Sequence, residues 1–181
     1  MVWEITPDEL WFRYADGERD FPGIKLIQSE KATSAQMIEL QGFDLRGINL
    51  RGAYLRYADL SSADLTGADL SSAVLIEACL ERATVRDASL YSANLHWCSL
   101  AEANLGGTSL GHMNATNAFF CGAKNIDGFE YTILADANFR GANISRDVLY
   151  AHGNLLWNTT AADGGIICGP LYGDGKRILH E

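Results

Sequence analysis

The sequence predicts an all-β solenoid, a square coil whose sides are five residues long. Three observations carry that expectation. Leu recurs at every fifth position from Leu45 to Leu110, with Val85 the one substitution in the series. Ala stands two residues before most of these positions, at Ala53, Ala58, Ala63, Ala68, Ala73, Ala78, Ala83, Ala88 and Ala93. The period itself matches neither a helix, which repeats its buried positions every 3.6 residues, nor a strand, which repeats every 2. A turn between successive inward residues removes the conflict. Four such sides close one coil, so vertical neighbours are about twenty residues apart, Leu45 over Leu65 over Val85 over Leu105. Successive coils should sit about 4.8 Å apart, joined by parallel ladder bonds. Ala suits the second inward position because four sides converge on a narrow bore that the Leu side chains already fill.

The units Ala58-Asp59-Leu60, Ala63-Asp64-Leu65, Ala68-Asp69-Leu70, Ala93-Asn94-Leu95, Ala103-Asn104-Leu105 and Ala137-Asn138-Phe139 resemble the pentapeptide repeat family, whose motif is A(D/N)LXX. The resemblance covers most of the chain. It implies a right-handed quadrilateral β-helix. The entry segment Gly17-Glu18-Arg19-Asp20-Phe21, following a helix, is similar to cyanobacterial members, many of which have no assigned activity.

Composition bounds the rest. The 181 residues suit one domain with a net charge of −9, which disfavours a nucleic-acid-binding surface. No apolar run is long enough to span a membrane, and the opening residues lack a basic segment followed by an apolar one; the expectation is a cytoplasmic protein. The four cysteines, Cys79, Cys98, Cys121 and Cys168, match no zinc spacing and suggest no disulfide framework. Cys98 occupies an Ala position and should point inward. The four histidines are scattered, and no phosphate loop, HExxH or nucleophile elbow is present.

In chain order, residues 1–19 read as an N-terminal cap. Thr6 can cap a helix over 7–16, Pro7 suits its first turn, Glu9 completes a capping box, and Gly17 ends it. Leu10, Trp11, Phe12 and Tyr14 give an apolar stripe that covers the first coil, with Trp3 packed beside it. The β-helix is expected over 20–155. Phe21, Ile24 and Leu26 already carry repeat character, and Leu26 lies nineteen residues before Leu45, close to a full coil. An irregular insertion near 28–41 follows, with a short helical stretch up to about Leu40; an irregular coil without a bulge is the other reading. Met113 fills the space left by Ala115. Phe120 to Phe129 spans nine residues, one short of two repeats, so a register slip falls near 121–128, with a distorted turn at Lys124-Asn125-Ile126. The later phase is Phe129, Leu134, Phe139, Ile144 and Leu149, with a wider bore. Residues 156–181 read as an irregular closing segment without a helix, of the kind through which some family members dimerise.

For function, the residues predict no catalytic centre, no cofactor and no metal site. Asp59, Asp64 and Asp69 form an apparent carboxylate array, but they stand on different sides of the coil and suit local hydrogen bonding. Some pentapeptide repeat proteins mimic DNA and bind DNA gyrase. That role needs a continuous acidic face, whereas twelve acidic and eight basic residues lie between Asp44 and Asp147. The leading expectation is a protein-binding or regulatory scaffold, monomeric or weakly self-associating, with an unidentified protein partner and no direct contact with nucleic acid or membrane. The side centred on Leu55, Leu75 and Leu95 projects Tyr54, Arg56, Tyr57, Val74, Ile76, Glu77, His96 and Trp97. This apolar and aromatic patch with mixed charge is the candidate protein-binding site; the other readings are laddering of β-formers on a sheet and cover by the 28–41 segment.

Overall fold

The computed structural model of the protein describes residues 3–27 and 38–172. Leu and Ala of every unit point inward. Leu45, Leu50, Leu55, Leu60, Leu65 and their successors to Leu105 have no solvent exposure, and the Ala residues between them are buried too. The chain is a right-handed quadrilateral β-helix. Its rungs are single parallel bridges twenty residues apart, such as Asp44↔Asp64, Asp64↔Thr84 and Thr84↔Asn104. Along one side, Leu55 N donates to Val74 O at 2.9 Å and Leu75 N to Asn94 O at 2.8 Å. The inward Leu and the corner residue thus bond one coil away, while the Ala N–H closes the turn onto the Leu three residues before it, as Ala58 N does to Leu55 O at 3.1 Å, so the sides need no long strands.

Each corner is a tight turn of fixed chirality. The residue two places after the central inward residue is left-handed from Gly47 to Gly141: Gly47, Gly52, Tyr57, Ser62, Gly67, Ser72, Glu77, Arg82 and their successors have φ between +48° and +72°. Gly67 shows why glycine recurs here, since L side chains are disfavoured at its φ of +70° even though a Cβ would touch nothing. The motif Asp or Asn holds the other half of the turn. Asp59, Asp64 and Asp69 accept the backbone N–H two residues on, from Ser61, Thr66 and Ser71, at 2.9, 3.0 and 2.9 Å.

The upper end begins with β1 (Glu4–Ile5), then α1 (Pro7–Ala15), then β2 (Lys25–Leu26), which pairs in parallel with β1. Thr6 caps α1, accepting the Glu9 N–H at 3.2 Å. The Glu9 carboxylate is held instead by Arg13 Nε at 2.6 Å. Pro7, Leu10 and Tyr14 are the buried face. Trp11 and Phe12 differ from the expected stripe: a continuous α-helix turns both away from the coil, leaving them 43% and 71% exposed. Trp11 still rests its ring on Phe43, 5.2 Å away. Trp3 stacks on Phe21 at 6.0 Å.

Leu26 does not lie over Leu45. Phe21 N reaches Asn49 O and Leu26 N reaches Tyr54 O, so these residues stack on Leu50 and Leu55. The rung Lys25↔Tyr54 therefore spans 29 residues, nine more than a regular coil. The expected insertion lies mostly at 28–37, outside the described residues. Its last part, however, is regular: β3 (Ile38–Glu39) pairs with β4 (Ala58–Asp59) in the twenty-residue register.

Below Asn104↔Lys124 the spacing shortens to nineteen, at Gly111↔Glu130, Asn114↔Ile133 and Phe119↔Asn138. One residue is lost at the corner where Asn125 is left-handed and exposed while Ile126 turns in. The core here is aromatic. Phe120 and Phe139 stack at 4.7 Å, and Phe129 meets both edge-on. Met113 is buried beside Ala115.

The expected phase through Ile144 does not continue as a flat side. The segment forms a short helix, α2 (Arg146–Tyr150), which buries Leu149 and leaves Ile144 only half-buried. The helix consumes extra chain, so the next rungs, Ile133↔Leu155 and Asn138↔Thr160, span 22 residues. Coil stacking thus runs past 155 to Ala161, which is fully buried. The lower end is closed by two antiparallel pairs: β5 (Leu155–Leu156) with β8 (Leu171–Tyr172), and β6 (Thr159–Thr160) with β7 (Ile166–Ile167).

Candidate functional site

The side centred on Leu55, Leu75 and Leu95 is built by rungs that place Lys25, Tyr54, Val74, Asn94, Asn114, Ile133 and Leu155 in one column. Tyr54 lies directly over Val74. At the adjoining corner, Tyr57 N donates to Ile76 O at 3.1 Å and Glu77 N to His96 O at 2.9 Å. The ladder therefore brings all eight candidate residues onto one face. Tyr54, Tyr57 and Trp97 are exposed, and Val74, Ile76 and His96 are half-buried between them.

Electrostatics on this face is local. Arg56 stands 5.0 Å from the Tyr57 ring centroid and 3.4 Å from the Glu77 carboxylate. Tyr57 and then Glu77 hold it above the ordinary arginine range. Such an exposed pair orients the guanidinium and contributes little to stability. His96 is fixed through Nδ1, 3.1 Å from Thr116 O, and its ring lies edge-on to Trp97 at 6.1 Å. Trp97 also meets Phe119, 6.1 Å away on the next coil. Phe119 extends the patch downward and was not singled out by the sequence reading. Its signal was present, because it takes the outward position normally held by Asp or Asn.

A second aromatic group stands on the neighbouring corner. Tyr91, His112 and Tyr131 follow one another at ring separations of 5.0 and 5.2 Å. Their sequence spacings are 21 and 19, so a strict twenty-residue stacking rule hides the column. Among the described residues, no group of three or more His, Cys, Asp or Glu side chains could hold a metal ion. Among the same residues, no helix is long and apolar enough to cross a membrane.

Comparison with known proteins places this architecture. The family model of pentapeptide repeats matches residues 39–71 and 68–107, with eight copies. The chain is 29% identical to the pentapeptide repeat protein Rfr23 of the cyanobacterium Cyanothece 51142, covering 54% of this chain and 66% of that one, with a TM-score of 0.51. It is 30% identical to the pentapeptide repeat protein alr5209 of Nostoc PCC 7120, over 70% of this chain and 92% of that one, with a TM-score of 0.32. No curated protein matches the chain. The repeat match and the identity over nearly the whole of the Nostoc protein show that this chain belongs to the pentapeptide repeat family.

Proposed function

We propose that the protein is a non-enzymatic cytoplasmic scaffold that docks a partner protein on the face made by Tyr54, Arg56, Tyr57, Val74, Ile76, Glu77, His96 and Trp97. One observation carries the reading. Tyr57 and Trp97 occupy the left-handed corner position, at φ +61° and +58°, yet both rings are exposed. A bulky residue there strains the backbone, and its side chain is not part of the core. Gly, Ser or a charged residue serves the turn elsewhere, at Gly52, Ser62, Gly67, Ser72, Glu77 and Arg82, so the turn itself does not ask for an aromatic ring. Exposed aromatics flanked by Arg are the composition of binding hot spots.

The acidic residues support a protein partner more than mimicry of DNA. Asp44, Glu77 and Glu102 each have an Arg within ion-pair reach, which breaks the continuous acidic face that gyrase binding would need.

The test is the double variant Trp97→Ser, Ile76→Ser. Ser62, Ser72 and Ser92 already hold the same corner at φ +58°, so Trp97→Ser adds no new backbone demand. The variant should keep its circular dichroism and melt within a few degrees of wild type while losing its strongest partner in a pull-down from the native cell. A large fall in melting temperature with binding retained would mean that the patch serves the fold alone.

A further inference from the structure

The loss of one residue at the register slip leaves a gap in the wall. Rungs run Asn104↔Lys124 and then Gly111↔Glu130. Among the described residues, no bridge joins Ser109 to the coil below it, although Ser89↔Ser109 joins it to the coil above. A cavity of about 400 Å³ opens at this place, on a different side from the proposed docking face. Val148 and Tyr91 give it apolar surface, Leu110 and Phe129 lie closed off beneath it, and Asp127 and Glu130 flank it.

The electrostatics of the cavity has one sign. No Lys or Arg lines it. Asp127 is anchored by accepting the Gly107 N–H at 2.8 Å. Some exposed carboxylates of the coil, such as Asp44, Glu77 and Glu102, have an Arg partner, whereas others, such as Glu81, Asp87 and Asp136, have none within 4.0 Å among the described residues. Among the described residues, neither Asp127 nor Glu130 has one within 4.0 Å. Beside these two carboxylates stands the aromatic column. Tyr91 is 46% exposed, and a Cβ at Gly111 would press on its ring at 3.3 Å, so that glycine lets the ring lie close to the wall. His112, Tyr131 and His152 take left-handed corners at φ +56°, +48° and +54°. Three aromatic side chains therefore hold corner positions that Gly, Ser or charged residues fill on other coils.

A half-buried valine, an exposed aromatic face and two carboxylates without cationic partners define a chemistry. We propose that this cavity binds a small organic cation, a guanidinium or alkylammonium compound. Its hydrocarbon part lies against Val148, and its charge lies between the Tyr91 ring and the carboxylates of Asp127 and Glu130. An inorganic cation is a poor occupant, because it requires several converging oxygen ligands, and among the described residues no group of three or more His, Cys, Asp or Glu side chains could supply them.

The probes are agmatine and tetramethylammonium, titrated against the full chain by calorimetry and by NMR shifts of the Phe129 and Glu130 amides. Neutral alcohols of similar shape are the controls. Saturable binding of a cation in the millimolar range or tighter is expected, at least about tenfold stronger than that of the neutral control. Gly128→Leu plugs the cavity. Gly128 is not left-handed, and a Cβ there meets nothing within 4 Å, so the variant should fold and bind no cation. Should it fail to fold, Asp127→Asn with Glu130→Gln keeps the test decisive, with binding expected to weaken about tenfold or more. No saturation by about 10 mM, equal binding of the neutral alcohol, or binding unchanged in the carboxylate variant would each overturn the proposal. The docking face shares none of these residues, so either reading can fail without the other.

Discussion

Asn154 Oδ1 accepts the backbone N–H of Thr132 at 3.0 Å, and both residues are fully buried. The same Asn donates through Nδ2 to the carbonyl oxygens of Phe129, Leu149 and Ala151 at 3.1, 3.3 and 2.9 Å. Thr132 in turn donates its hydroxyl to Leu110 O at 2.9 Å. These two polar residues occupy inward positions that Ala holds in regular coils. They satisfy the backbone where α2 and the register slip interrupt the ladder. Asn154→Leu fills the volume but leaves the Thr132 N–H and three carbonyls without this partner. The expected loss is about 3 kcal/mol or more, read by chemical denaturation. Thr132→Val removes one donor and should cost about 1 kcal/mol. Equal losses would mean that the network carries no more than a single hydrogen bond.

The left-handed corner gives a second expectation. Gly67 has φ +70° and open space around a Cβ, so replacement tests the backbone alone. Gly67→Val should cost about 1–2 kcal/mol, because a β-branched residue is strongly disfavoured at positive φ. The paired change, Arg82→Gly at φ +58°, relieves the same strain and should be neutral or stabilising by a few tenths of a kcal/mol. A stabilising Gly67→Val would contradict the turn geometry.

Much of this architecture is legible in the residues because the buried pattern is periodic. Leu55, Leu75 and Leu95 could be stacked by counting, since a wrong phase would bury Asp and Arg. The same logic located the slip, where continuing the old phase would have buried Asn125. Counting failed where the length of the connection was itself unknown. Leu26 lies nineteen residues before Leu45, a spacing close to a full coil, yet it stacks on Leu55. Arg146–Tyr150 failed for a different reason. Ile144 and Leu149 keep a five-residue spacing, but the residues between them form a helical turn that buries only Leu149. The proposed docking face was legible as a list of outward residues. The strain on Tyr57 and Trp97 was not, since it follows from backbone angles; the recurrence of Gly42, Gly47, Gly52 and Gly67 at that corner was the available clue.

The cysteines offer a probe of phase. Cys98 takes an Ala position and is fully buried, which pushes its thiol well above the ordinary range. Burial also raises Cys79, though less completely. Cys168 is exposed and Cys121 half-exposed. The thiolate is the reactive form, so a thiol reagent at pH 8 should modify Cys168 first, Cys121 and Cys79 later, and Cys98 only on unfolding. Native labelling of Cys98 as fast as that of Cys168 would show that the coil is open at that level.

The Asp44–Arg46 pair predicts a titration. Arg46 Nε and one terminal nitrogen contact both carboxylate oxygens of Asp44, at 2.8 and 2.6 Å. The hydrogen bonds from Arg46 pull Asp44 down to about 2. A depressed folded pKa means that the ionised carboxylate is favoured by folding. Its contribution is fully present above the ordinary carboxylate range and fades as pH falls through about 2. NMR titration of the Asp44 carboxyl should give that midpoint in the wild type. In Arg46→Gln it should return towards about 3.9, with little change in melting temperature at pH 7, because the pair is exposed. An unchanged midpoint in the variant would show that Arg46 does not hold this carboxylate.

The sharpest contrast lies between two neighbouring units. Leu75 is fully buried, stacked between Leu55 and Leu95 in the bore. Leu75→Asp removes that packing and puts a carboxylate where no donor or cation lies within the filled core. The charge must be either desolvated or neutralised by a proton, and both are costly. A loss of several kcal/mol is expected, enough to unfold the neighbouring coils, since each coil is stable only through the coils stacked on it. Asp69, six residues earlier, is half-exposed and uses Oδ1 to accept the Ser71 N–H at 2.9 Å. Asn offers the same acceptor, as Asn94 and Asn114 do for His96 and Thr116, so Asp69→Asn should shift the melting temperature by no more than a degree or two. The two melts, recorded side by side, separate an inward position from an outward one. Comparable losses would mean that Leu75 does not face the bore.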